Sequence, residues 1–76
     1  DARGRVLLKL NVTEDAKDAV LAVLPSMKSP TMSPLAGGGY AVESVVEKQR
    51  INLVIPALIA AGATDLVEMA IAKIVP

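Results

Sequence analysis

The stretch Ser29-Pro30-Thr31-Met32-Ser33-Pro34-Leu35 divides this chain of 76 residues into two halves of similar pattern. Its two prolines each fix φ and remove a backbone donor, and each favours extended geometry in the residue before it. The stretch is therefore incompatible with a helix and unfavourable for a central strand. It predicts a stiff edge strand over residues 29–35 that carries several hydroxyl groups.

On the N-terminal side of this stretch, the pattern predicts a strand followed by a helix. Residues 5–12 alternate, and Val6, Leu8, Leu10 and Val12 fall on one face, as expected for a half-buried strand. Thr13 is a favourable helix N-cap, and apolar residues recur at helical spacing after it. Pro25 ends that predicted helix.

On the C-terminal side, the pattern predicts a turn, a strand, a helix and a last strand. Three glycines at 37–39 favour a hairpin turn, because glycine adopts positive φ without steric cost. The strand covers residues 40–47, the helix covers 49–61 with Gly62 as its C-terminal cap, and the last strand covers 65–75. Val67, Met69 and Ile71 are predicted to face the helices from that strand.

The resulting order β-α-β-β-α-β predicts an α+β, ferredoxin-like fold of the kind found in ACT and PII-like domains. Two helices cover one face of a four-stranded antiparallel sheet, which leaves the opposite face, called here the open face, without helices. The residues predicted on the open face are apolar and polar in similar numbers, which is typical of a subunit interface. They are Leu7, Lys9, Asn11, Ala41, Glu43, Val45, Glu47, Leu66, Glu68, Ala70 and Ala72.

The composition limits both organisation and chemistry. Residues 1–76 suffice for a single domain, and a domain this small often depends on a partner for stability. Eight basic and eight acidic side chains balance, and Tyr40 is the one aromatic residue, so we expect no nucleic-acid binding. No apolar run is long enough to span a membrane. The absence of Cys fits a cytoplasmic location, and because Asp1 stands where Met would start a protein, we expect a piece of a longer one.

Catalysis and metal binding are not expected within these residues. The chain has no His and no Cys, the usual groups for proton transfer, nucleophilic attack and zinc binding. Glu14 and Asp15 suit the first turn of a helix, and Glu43 and Glu47 share one strand face. The three glycines lack the Lys-Ser/Thr of a phosphate-binding loop. We therefore predict no catalytic residue, no metal site and no cofactor in this domain.

Several short pieces flank the proline-rich stretch in a recognisable order. They are Leu24-Pro25-Ser26-Met27-Lys28, Gly39-Tyr40-Ala41-Val42-Glu43, Ala60-Ala61-Gly62-Ala63-Thr64 and Lys73-Ile74-Val75-Pro76. From about Val6 to Pro76, this order resembles the C-terminal regulatory domain of long-form ATP phosphoribosyltransferase, the first enzyme of histidine biosynthesis. The resemblance implies a parent enzyme that joins ATP to phosphoribosyl pyrophosphate with magnesium, and that assembles from dimers into hexamers.

The same resemblance implies a binding site for L-histidine as a feedback inhibitor, placed between regulatory domains of neighbouring subunits. Thr31 is implied as a hydrogen-bond partner of this effector and Met27 as an apolar contact. Asn11 stands where the family often has Asp, so it supplies a hydrogen bond without charge. Val46 and Asp65 complete the implied set.

Two other functions remain open from the residues alone. One is a stand-alone ferredoxin-like module that binds a small metabolite or only itself, which explains the composition and the open face equally well. The other is a small nucleic-acid binder of the same fold, which the single aromatic residue and the zero net charge disfavour.

Overall fold

The computed structural model describes residues 4–24 and 30–71. The sheet order is β2-β3-β1-β4, with every neighbouring pair antiparallel, and this confirms the ferredoxin-like prediction. Within the described residues the longest helix has 11 residues, and no helix is long and apolar enough to cross a membrane. The elements are β1 (Arg5–Val12), α1 (Lys17–Val23), β2 (Thr31–Pro34), β3 (Tyr40–Glu47), a 3₁₀ turn (Lys48–Arg50), α2 (Ile51–Ala61) and β4 (Thr64–Ala70).

The core lies between the helices and one face of the two central strands. Every second residue of β1 is buried, as the alternation predicts, and β3 behaves in the same way. Leu8 on β1 and Leu58 on α2 are among the largest fully buried side chains, and burying one such side chain contributes about 1.5–3 kcal/mol. The buried apolar residues are Val6, Leu8, Leu10, Val12, Val20, Leu24, Val42, Val46, Ile51, Val54, Leu58 and Ala63.

Both helices begin later than the sequence predicts. Residues 14–16 form a turn before α1, in which the backbone N–H of Ala16 donates to the Thr13 side-chain oxygen at 3.3 Å. A 3₁₀ turn likewise precedes α2. The C-terminal end of α2 is as predicted: Gly62 has φ +116°, and its N–H donates to the carbonyl oxygens of Leu58 and Ile59.

The hairpin between β2 and β3 confirms the turn predicted at the three glycines. The N–H of Leu35 donates to the carbonyl oxygen of Gly39 at 2.9 Å, and Gly39 has φ +81°. A Cβ atom on Gly39 would lie 2.5 Å from the carbonyl oxygen of Val12, so the close approach of β1 requires glycine there. β2 is a shorter edge strand than predicted, and Ser29 lies outside the described residues.

The prediction for the faces of β4 is wrong. Lys9 pairs with Val67 whereas Asn11 pairs with Thr64, so β4 contains one extra residue between these pairs. This bulge includes Asp65, whose φ is +53°, and it reverses which side chains face the helices. Leu66 packs against the core, and the pairing places Glu68 and Ala70 on the same side as Leu66. Ala72 and the predicted strand end at Val75 lie outside the described residues.

The open face is therefore more apolar than predicted. Val67 and Met69 join it in place of Leu66, Glu68 and Ala70, so one carboxylate leaves this face, and the two new residues are 49% and 37% exposed. Because paired residues share a face, the registers define three rows that cross the sheet. The rows are Val45–Leu7–Met69, Thr31–Glu43–Lys9–Val67 and Ser33–Ala41–Asn11–Thr64.

Candidate functional site

Thr31 lies on the open face of the edge strand β2. It pairs with Glu43, and the Glu43 carboxylate oxygen Oε2 lies 3.7 Å from Nζ of Lys9 on the next strand. Thr31 is exposed, and prolines occupy positions 30 and 34 around it. The Lys9–Glu43 ion pair is half exposed, so its net contribution to folding is small, about 0–1 kcal/mol. These three side chains form a polar row that is open to a ligand or to a partner.

Asn11 and Asp65 come together at the bulge of β4. The side-chain Nδ2 of Asn11 donates to Oδ2 of Asp65 at 3.1 Å, and the Thr64 hydroxyl donates to the backbone oxygen of Asn11 at 3.3 Å. The amide therefore orients the carboxylate while the second carboxylate oxygen and Oδ1 of Asn11 can accept further hydrogen bonds. An ammonium or a ring N–H is the chemistry that suits such a group.

The bulge depends on the conformation of Asp65. A φ of +53° lies in the left-handed region, which Asp tolerates better than most residues because its short side chain can hydrogen-bond locally. Sequence reasoning did not include Thr64 in the site. The signal that could have indicated it is the adjacency of Thr64 and Asp65 two residues after the Gly62 cap of α2, where a strand begins with two hydrogen-bonding side chains.

Thr31 and the Asn11–Asp65 pair share the open face but do not meet. Asn11 is two strands away from Thr31 and one row further along the sheet, a separation of about 12 Å between Cα atoms at ordinary strand spacings. At this distance the two groups make no direct hydrogen bond to each other. They are therefore two separate polar positions on one face of the sheet.

The remaining two candidates have other positions. The Val46 side chain is fully buried on the helix-covered face, where it is paired with Val6, so a ligand can reach Val46 only through its backbone. Met27 lies outside the described residues. The structure therefore brings together two of the five candidates, Asn11 and Asp65.

The arrangement offers hydrogen-bonding groups rather than reactive ones. Among residues 4–24 and 30–71, no three acidic side chains are grouped so that they could hold a metal ion. The site consists of two hydroxyls, one amide, two carboxylates and one ammonium, distributed over all four strands. Such a set can recognise a small polar molecule, and it contains no activated nucleophile.

Comparisons with known proteins place the chain in a family. A family profile described as "HisG, C-terminal domain" matches residues 2–73. An ATP phosphoribosyltransferase of Pelotomaculum thermopropionicum is 46% identical over 99% of this chain, and one of Desulforudis audaxviator is 43% identical over 99%. One of Natronomonas pharaonis is 46% identical over the whole chain.

The matched region is a small part of each relative. The chain covers 26% of the first two relatives and 27% of the third, so it spans about a quarter of the length of the curated relatives it matches. The profile covers nearly every residue from the first strand to the last one. The chain belongs to the family of HisG C-terminal domains.

Proposed function

We propose that this chain is the regulatory domain of an ATP phosphoribosyltransferase in the cytoplasm, and that it binds L-histidine as the feedback inhibitor of histidine biosynthesis. The observation that carries the proposal is the match of the whole chain to the C-terminal quarter of enzymes of that name. In the parent enzyme, magnesium and the reacting substrates bind outside this domain, which itself catalyses no reaction.

The pair at the bulge supplies the chemistry that histidine requires. Histidine carries an ammonium group and an imidazole N–H, both of which donate hydrogen bonds, and Asp65 presents an oriented carboxylate to such donors. Asn11 holds that carboxylate in place and offers its own side-chain oxygen. Asp65, which is hydrogen-bonded to Asn11, thus supplies the negative charge that the family often carries at position 11.

A second copy of the domain completes the site in this proposal. One copy contributes Thr31 and its neighbour contributes the Asn11–Asp65 pair, as the family resemblance implies for a site between regulatory domains. Histidine then binds best in the arrangement that brings the two copies together. Its differential affinity shifts the oligomer toward that arrangement, which is the inhibited one.

The open face supports self-association. The row Val45–Leu7–Met69 is apolar across three strands, and Val67 extends it in the next row. The Lys9–Glu43 pair beside this row provides charges of both signs for a polar rim. We propose that this face joins the regulatory domains within the hexamer of the parent enzyme.

An alternative function rests on the same face. An interaction module that only assembles with itself needs the apolar row Val45–Leu7–Met69 and no ligand. The two functions differ in one requirement, since only the regulatory domain needs the polar groups at the bulge.

Isothermal titration with L-histidine, paired with sedimentation of the same sample, tests the proposal. We expect saturable binding by an oligomer. Absence of binding by a well-formed oligomer contradicts a histidine site and favours the interaction module. A sample that sediments as a monomer is titrated again as the full-length enzyme, in which neighbouring regulatory domains are present to complete the site.

A further inference from the structure

A groove lies on the helix layer, away from the open face. It has a volume of about 270 Å³ and runs between the C-terminal end of α1 and the first half of α2. Arg50, at the end of the 3₁₀ turn, and the three lining residues of α2 recur at i, i+3, i+4 and i+7, so they share one helical face. The groove is lined by Val23, Arg50, Leu53, Val54 and Ala57.

The groove combines an exposed apolar side chain with one charged group. Leu53 is 80% exposed, the highest value among the exposed large apolar residues of the described chain. Covering such a side chain is favourable, because it removes apolar surface from water. Arg50 also lines the groove. Its guanidinium group favours an occupant that carries a carboxylate next to an apolar side chain.

The Arg50 end of the groove lies near the start of β1. The backbone N–H of Lys48 donates to the carbonyl oxygen of Gly4 at 2.8 Å. Arg50 follows two residues later in the same 3₁₀ turn, so its Cα lies within about 7 Å of that of Lys48. Any polypeptide that precedes Gly4 therefore reaches the domain at the end of the molecule where Arg50 lines the groove.

We propose that the groove docks the region of the enzyme that precedes this domain, through an apolar side chain placed on Leu53 and a carboxylate facing Arg50. This inference rests on the proposed function, because it requires the longer parent enzyme. The matched relatives are about four times as long as this chain, and the family consists of C-terminal domains, so most of their length comes before the matched part. The groove would then hold the regulatory domain against the part that it regulates.

The test uses two thiols introduced separately on α2 of the full-length enzyme, by Leu53→Cys and by Ile59→Cys. This domain contains no cysteine of its own, and peptide mass spectrometry separates the two positions from any thiols elsewhere. In the domain itself position 53 is more exposed than position 59, at 80% against 56%. An uncovered groove would therefore give labelling at position 53 that is at least as fast as at position 59.

Docking reverses this order. We expect the thiol at position 53 to react at least tenfold more slowly than the thiol at position 59, and we expect Arg50→Glu to restore fast labelling at position 53. Equal or faster labelling at position 53 overturns the proposal. A photo-reactive group attached at position 53 identifies the occupant, and attachment to a second regulatory domain instead of the preceding region also overturns it.

Titration of the same enzyme with L-histidine separates this inference from the proposed function. Slow labelling at position 53 in an enzyme that does not bind histidine supports docking and contradicts the effector. Histidine binding together with fast labelling contradicts docking and leaves the regulatory function in place. Circular dichroism of each variant serves as the folding control, because both substituted positions are exposed.

Discussion

Asn11 and Asp65 lie 54 residues apart in the chain, and the side-chain amide of Asn11 donates to the carboxylate of Asp65 at 3.1 Å. The contact occurs where β4 carries one more residue than its partner β1, and Asp65 adopts a left-handed backbone at that point. The hydrogen bond therefore links the backbone conformation of Asp65 to the pairing of β4 with β1, two strands that are distant in the sequence. The proposed effector site includes this pair, and the bulge that contains Asp65 sets the faces of β4.

The first prediction concerns the backbone of Asp65. We expect Asp65→Val to lower the free energy of unfolding by about 1–3 kcal/mol, because a β-branched residue is disfavoured at φ +53°. Asp65→Gly tolerates this conformation and loses only the exposed hydrogen bond, so its cost is smaller, about 1 kcal/mol or less. Urea denaturation of both variants measures the difference. Equal losses would show that backbone conformation is not the constraint at this position.

The second prediction concerns the polar row of β2. We expect Thr31→Val to weaken histidine binding by about 3- to 10-fold, the effect of one hydrogen bond, with little change in stability because the residue is exposed. Ser33→Ala is the matched control, since Ser33 lies on the same strand and the same face one row away. Calorimetric titration measures both affinities. An unchanged affinity of Thr31→Val would remove Thr31 from the site.

The third prediction concerns the open face. Val45→Glu places a charge in the apolar row Val45–Leu7–Met69, and we expect sedimentation to show a shift from oligomer to monomer. Ala70→Glu is the control. Ala70 pairs with Val6, so its side chain lies on the opposite side of the sheet, and we expect it to leave the oligomer unchanged. An oligomer that tolerates Val45→Glu would mean that copies meet elsewhere.

The fourth prediction concerns the hairpin between β2 and β3. Gly39→Ala brings a Cβ atom against the carbonyl oxygen of Val12 at a positive φ, and we expect it to destabilise the fold by about 2 kcal/mol or more. At Gly37 a Cβ atom would meet no other atom within 4 Å, and φ there is outside the left-handed region. Gly37→Ala should therefore be neutral or stabilising, by up to about 1 kcal/mol. Thermal or urea unfolding of the two variants provides the comparison.

The sequence was sufficient to predict the central strands and the end of α2. β1 and β3 have the predicted bounds because partial alternation over eight residues still favours one buried face, and Gly62 gives a local signal that requires no partner. The bulge of β4 could not be predicted in the same way. One extra residue leaves the alternation intact on both sides of it, and the register depends on β1, more than 50 residues away.

The candidate site was predictable in part for related reasons. Asn11 and Asp65 were named separately, but nothing local indicates that they meet, since their contact depends on the same register. Val46 was named although alternation along β3 already assigns Val46 to the same face as the buried Val42. The position of Thr31 on an edge strand follows from its proline neighbours, whereas its role in the site was implied only by the family resemblance.

The pairing of Val6 with Ala70 has a mechanical consequence. It places the start of β1 and the end of β4 at one end of the sheet, while Asn11 lies near the other end of β1. From Val6 to Asn11, β1 extends about 17 Å, and the Asn11–Asp65 pair lies at the Asn11 end of this span. A rotation of the whole domain by ~10° about the Val6 end displaces the Asn11–Asp65 pair by about 3 Å. The Asn11–Asp65 pair and the Val6 end are thus joined by one continuous central strand.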